Sequence, residues 1–232
     1  MRSMTRYFCH RAYSVSRPMQ FFLAFLGTSA AQRGPLWWAA HHMRHHRNPD
    51  AEGDVHSPVL RGFLWAHVGW TFVPENASTD MKSMKGWAKY PELRLLNRFH
   101  QIAPAAWAAG CYGLGWWLGS SYPHLGTSGP QMLIWGFFIP TVVLYHATFC
   151  VNSVCHMWGL RRYETNDQSR NNPLVALATL GEGWHNNHHR FPISARQGVG
   201  FWEFDPTYWI LRGLAALGLV SNIRERPAAT RE

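Results

Sequence analysis

The chain has 232 residues, room for one or two domains, with 13 Trp, 13 Phe and 8 Tyr, 15% charged residues and a formal net charge of +9. A basic, aromatic, charge-poor chain meets either nucleic acid or a bilayer. From Phe99 through Leu160, 62 residues contain no Asp, Glu, Lys or Arg, and the basic residues flank this run instead of interleaving with aromatics. That pattern excludes a nucleic-acid groove and points to a membrane.

Met1 to Arg11 is basic and aromatic with no apolar core, so it does not read as a secretory signal. His10 lies here, in TRYFCHRAY, ahead of a short apolar stretch, Pro18 to Gln32, bracketed by Arg17 and Arg33. That length suits an interfacial or re-entrant segment better than a span. Next comes WWAAHHMRHHRNPD, with His42, His45 and His46 at i, i+3, i+4, a spacing that sets three imidazoles on one helical face. Pro58 to Tyr90 mixes turns, Trp and Lys and reads as a cytoplasmic connection.

Two stretches have the length of a bilayer crossing, 101–120 and 132–150, joined by the turn-rich SYPHLGTSGPQ. Arg94 and Arg98 precede the pair, and Arg161, Arg162 and Arg170 follow it, so the positive-inside rule puts both flanks in the cytoplasm. Asn152 and His156 share a face at the cytoplasmic end of the second span. A second triad, His185, His188 and His189 in GEGWHNNHHRFP, repeats the first spacing. The C-terminal stretch, Phe201 to Val220, is apolar yet carries Glu203, Asp205 and Arg212, and reads as a helix on the membrane surface.

Two HxxHH patterns in one chain are rare by chance and point to a metal site on the cytoplasmic side. Imidazole suits iron, zinc, copper and nickel alike, so the ligand type does not name the metal. Glu182 and His185 form one ExxH, where a carboxylate-bridged di-iron bundle needs two and further glutamates. HExxH, a P-loop and GxGxxG are absent. The four cysteines, Cys9, Cys111, Cys150 and Cys155, form no CxxC and read as reduced, buried thiols.

The stretches HRAYSVSRP, AAQRGPLWWAAHHMRHHRNPD, DVHSPVLRGFLWAHVGW, NSVCHMWGLRRYETNDQSRNN and LGEGWHNNHHRFPISARQG, followed by WEFDPTYW, resemble the membrane fatty acyl desaturases, in particular the bacterial form of the acyl-CoA (stearoyl-CoA, delta-9) type. The resemblance runs along nearly the whole chain. It implies an all-α integral-membrane bundle of four spans with a cytoplasmic, histidine-rich di-metal cap, of which two spans are clear here. It implies two iron ions held by His10, His42, His45, His46, His156, His185, His188 and His189, with Asn152 acting through water. His67, Trp37 and Trp38 fall in segments that border the acyl tunnel in that family. The family's first box begins with another histidine; Thr5 stands in its place. The chain also begins where the family's first transmembrane hairpin would already be complete, so the resemblance implies an N-terminally truncated single desaturase domain over 1–232.

The implied reaction uses O2 and two electrons to put a cis double bond into a long saturated acyl chain. No proton of such a chain is acidic, so an oxidant made at a metal is required, with the protein supplying orientation. Two other readings share the boxes: a membrane di-iron hydroxylase, and a metal-binding member impaired or inert because of Thr5. A transporter would place ionisable residues inside its spans, where only His146 lies. The implied partners are an acyl-CoA, another acyl thioester or an acyl lipid, O2, membrane lipids, and a separate electron donor, either ferredoxin-like or a small haem protein with its reductase. The basic cytoplasmic surface suits an acidic carrier.

Overall fold

In the computed structural model, which describes residues 4–226, the uncharged stretch forms a helical hairpin. Helices here are α1 (Arg17–Thr28), α2 (Pro35–Arg47), α3 (Pro91–Arg98), α4 (Ile102–Ser121), α5 (Gly129–His156), α6 (Pro173–Ala178), α7 (His185–Arg190) and α8 (Pro206–Ala216). Short helical turns join them, and the only β pairing among the described residues is three isolated bridges. The all-α expectation holds.

The two expected spans are α4 and α5. Among the described residues, α5 is the one helix long and apolar enough to cross a membrane by length and composition. α4 has a similar reach, with Trp and Gly where α5 has Ile, Val and Leu. Both carry large apolar residues on their outer faces, among them Leu114, Trp116, Trp135, Val142 and Val143. Helices apolar all round belong in lipid or in a large core. The pair packs through small residues: a Cβ at Gly115 would sit 2.6 Å from that of Met132. Pro140 cannot donate to the carbonyl four residues back, which frees Gly136 O inside the hairpin. Trp107 Nε1 of α4 donates to that carbonyl at 3.2 Å, within the wide turn at Ile134–Phe138.

α1 is 12 residues, about 18 Å, and so too short to span. Ser16 caps it, and Phe21, Phe22 and Leu26 are exposed along one side, as an interfacial helix requires. α2 begins at Pro35, and its first free N–H groups, of Leu36 and Trp37, donate to Asn97 Oδ1 of α3 at 3.1 and 2.9 Å. This fixes the orientation of the first histidine triad. The C-terminal helix starts at Pro206, later than the apolar stretch, because Asp205 Oδ1 accepts from Tyr208 N and caps it there.

The two ends of the described chain meet. Ser14 and Ser221 exchange backbone hydrogen bonds of 2.8 and 2.9 Å. Arg6, 1% exposed, donates to Asp205 Oδ1 at 2.9 Å, to Glu182 Oε1 at 3.2 Å and to Ala195 O at 2.6 Å. A buried guanidinium needs such complete pairing. It locks the Met4–Cys9 turn, and with it His10, against the segment that carries the second triad. Tyr7, Phe8 and Trp87 pack behind this turn, and Trp87 Nε1 donates to Phe8 O at 2.8 Å.

Candidate metal centre

α2 brings His42, His45 and His46; α7 brings His185, His188 and His189; the turn after Cys9 brings His10, and the end of α5 brings His156. All eight converge. They form two groups of four, His10, His42, His46 and His188 in one and His45, His156, His185 and His189 in the other, with ligand atoms within 4.8 Å of one another in each. Neither triad serves a single group. α2 gives two imidazoles to the first and one to the second, and α7 does the reverse, because i and i+4 point one way while i+3 is turned aside.

The ring nitrogens face inward. Nε2 of His10 lies 2.9 Å from Nε2 of His42, and His46 Nε2 lies 3.0 Å from His188 Nε2. In the second group His156 Nε2 is 3.0 Å from His185 Nε2, and His45 Nε2 is 3.4 Å from His189 Nε2. Neighbouring nitrogens around one ion at a bond length of about 2.1 Å are roughly 3 Å apart. The spacing therefore fits metal ligation.

The outer nitrogens decide what the inner ones carry. His45 Nδ1 bonds Asp54 Oδ2 at 2.8 Å, His156 Nδ1 bonds Asp50 Oδ2 at 2.7 Å, and His189 Nδ1 bonds Asp167 Oδ2 at 2.8 Å. A carboxylate takes the Nδ1–H, which leaves Nε2 as a bare lone pair. His45 and His189 thus aim two lone pairs at each other, an arrangement that a cation between them relieves. Burial favours the neutral form of six of them: it pushes His10 down to about 3 and His189 to about 4, and His42, His46, His185 and His188 well below the ordinary value. Burial raises the Asp54 and Asp167 carboxyls, yet the hydrogen bonds they accept, first from His45 and His189, outweigh it and hold both below the usual range.

The groups differ in support. All three aspartates stand behind the second. Behind the first, Gln197 Nε2 lies 3.2 Å from His188 Nδ1, an amide instead of a carboxylate.

A cavity of about 330 Å³ opens beside both groups. Leu144, Ala147 and Val151 of α5 give it an apolar wall, and His42, His45 and His185 stand on its lining. Asn152, Trp38 and Thr5 line it too. Trp38 also borders a second cavity, of about 180 Å³, with Trp37 and Tyr145. Trp37 stacks on Trp70 at 5.7 Å, so it supports that second space and does not reach the histidines' cavity. His67 stands apart: it bonds Ser153 Oγ at 2.9 Å and His146 Nδ1 at 3.0 Å, outside both groups of four.

Sequence reasoning missed Asp50, Asp54, Asp167 and Gln197, as well as His56. His56 is buried on the cavity lining beside His45 and Asp54, pushed down to about 3 by burial. The available signal was the pair of aspartates directly after the first triad, in RNPDAEGDVH, in a chain with only 13 acidic residues. Glu182 of the ExxH faces Arg6, and the three aspartates, not Glu182, back the histidines.

Comparison with known proteins agrees with this geometry. The sequence model of the family "Fatty acid desaturase" matches residues 1–222. Icosanoyl-CoA 5-desaturase of Limnanthes douglasii is 37% identical over 222 residues, which is 93% of this chain and 58% of that protein. Palmitoyl-monogalactosyldiacylglycerol delta-7 desaturase of Arabidopsis thaliana is 33% identical, over 96% of this chain and 57% of its own length. The sn-1 stearoyl-lipid 9-desaturase of Anabaena variabilis is 35% identical, over 93% of this chain and 74% of its own length. The chain thus spans less than two thirds of the first two relatives. With the match running over residues 1–222, and eight histidines gathered where ligands would be needed, the chain belongs to the fatty acid desaturase family.

Proposed function

We propose that the chain is an oxygen-dependent fatty acyl desaturase that introduces a cis double bond, at the delta-9 position, into a long saturated acyl chain, in unsaturated fatty acid biosynthesis. One observation carries this: a cavity with an apolar wall on one side and, on the other, His42, His45, His185 and His188, members of two inward-facing groups of four imidazoles. In this reading the whole of 1–232 is one desaturase domain. His10, His42, His46 and His188 hold one iron, His45, His156, His185 and His189 the other, and Asn152 orients water between them.

The iron pair supplies the oxidising power from O2 and two electrons when bound. The rest is the work of the chain's own residues. Asp50, Asp54 and Asp167 fix the tautomer and the ring angle of three ligands. Leu144, Ala147 and Val151 strip water from the acyl chain and hold it against the imidazole wall. Trp38, between the two cavities, sets how far the chain runs past the metals. The relatives carry 5, 7 and 9 in their names, so depth in this cavity is the natural variable for double-bond position.

In the same reading α4 and α5 both cross the bacterial cytoplasmic membrane in a multi-pass arrangement, with the metal site facing the cytoplasm. The substrate is an acyl-CoA, another thioester or an acyl lipid, electrons come from a separate ferredoxin-like or small haem protein, and nucleic acid plays no part.

The test is to express the chain with a reductase system, supply labelled stearoyl substrates as thioester and as lipid, and identify products by mass spectrometry. A cis-9 olefin that needs O2 and iron supports the proposal. A hydroxylated product would move the chain to the related hydroxylases. A second reading rests on Thr5, buried on the cavity lining where the resemblance places a ligand: the chain binds metal but turns over poorly. Thr5→His should then raise both iron content and turnover.

A further inference from the structure

Away from the histidines, a second large cavity, of about 320 Å³, lies between the N-terminal turn, α1 and the Trp87 segment. Its wall carries Arg11, Arg17, Lys89 and Arg224, and no Asp or Glu. Arg17 is paired with Glu92 at 2.8 Å. Among the described residues no carboxylate pairs with the other three. Arg11 lies over the Trp87 ring at 4.7 Å, and Lys89 over Tyr90 at 5.1 Å, so aromatic faces hold both heads at the cavity. Gly86 makes room: a Cβ there would stand 2.5 Å from the Arg11 guanidinium.

A fifth donor completes the set. Gln20, 3% exposed, also lines the cavity; its Oε1 accepts from Tyr7 OH at 3.1 Å, and its Nε2 has no partner. Four cations on one cavity wall, three of them without a carboxylate partner, make its field positive, and an unpaired buried donor costs free energy. An anion with several acceptor oxygens answers both at once, and guanidinium groups match phosphate geometry. The cavity opens to solvent, with Arg11, Arg17, Lys89 and Arg224 all exposed at its rim, so a small ester can enter it.

We propose that this cavity is a phosphate-binding site, separate from the metal centre, for the phosphoryl group of a small ester. That group has two sources: a soluble phosphate ester or the headgroup of a phospholipid. The site sits where both are within reach, since Arg17 and Gln20 lie at the start of α1, whose Phe21, Phe22 and Leu26 are exposed.

The test uses the full chain, metal-free, so that it stands apart from any desaturase activity. In neutral detergent, equilibrium dialysis with radiolabelled inorganic phosphate should give one site per chain. Lys89→Gln and Arg224→Gln should each weaken binding about tenfold, the worth of one charged hydrogen bond. Gln20→Glu, which turns the free donor into an acceptor, should abolish it, and Arg61→Gln, on an exposed residue off the cavity, should leave it unchanged. In a second arm, nanodiscs of phosphatidylcholine with and without phosphatidate are compared by native mass spectrometry. Phosphate binding in detergent with this variant pattern supports a soluble ester. Phosphatidate retention with the same pattern, and no free-phosphate binding, supports a headgroup. Binding of neither, or binding that all variants share equally, overturns the proposal.

Discussion

The three aspartates behind one group of histidines predict that the two metal sites differ in affinity, and Asp167→Asn tests this. Asp167 Oδ2 bonds His189 Nδ1 at 2.8 Å, while its Oδ1 takes Thr165 Oγ1 at 2.9 Å and Ser169 N at 2.7 Å. Asparagine keeps the shape but loses the charge. If its oxygen stays on Ser169, its NH2 faces His189 and favours the tautomer with the proton on Nε2, where the metal belongs. If its oxygen turns to His189, the NH2 meets the Ser169 N–H. Loss of a carboxylate behind a ligating histidine costs ten- to a hundredfold in metal affinity, about 1.4–2.7 kcal/mol. The assay is chelator competition on detergent-purified protein, with Co(II) as a spectroscopic probe. The wild type should titrate in two steps, and the variant should lose the tighter one, so that the steps merge. A variant with an unchanged tight step and a weakened loose one would refute the assignment of the aspartates to the stronger site.

Acid should unfold the metal-free protein early. His10, His56 and His189 titrate at about 3, 3 and 4 when folded and near 6.5 when unfolded, so the unfolded chain binds more protons between these values. Stability is then full above pH 6.5 and falls as pH drops towards 4; a melting temperature that rose on acidification would contradict neutral burial. Trp38→Ala joins the 330 and 180 Å³ cavities, and should broaden the acyl chain lengths accepted; an unchanged product profile by gas chromatography would remove Trp38 from the specificity role. Trp107→Phe strands the Gly136 carbonyl in the hairpin and should cost about 0.6–1.7 kcal/mol in a detergent unfolding titration, with no change expected if another donor serves that carbonyl.

Much of the site was readable because histidine spacing survives translation into a helix. The i, i+3, i+4 pattern placed both triads on helices that the structure shows, and charge-free length placed α4 and α5. His10 and His156 stood out only in the company of the triads, and both fall into the groups of four. The division of each triad between two groups was not readable, since it depends on how α2 crosses α7. The supporting aspartates lie in loops with no periodicity, and Asp167 reaches His189 across 22 residues of chain, a pairing set by the turn after Leu160. His67 had a motif but not the location: a hydrogen bond to His146 of α5 draws it away from the cavity.

Arg6 has a consequence for biosynthesis. Its bonds to Asp205 close a loop of 199 residues, at an entropic cost of about 5 kcal/mol. At 5–20 residues per second, the ribosome needs roughly 10–40 s to make that stretch. Until α7 emerges neither group of four is complete, and until Asp205 follows it Arg6 lacks two of its buried hydrogen bonds. A nascent chain shorter than this has no finished metal cradle, so metal loading follows the synthesis of Asp205.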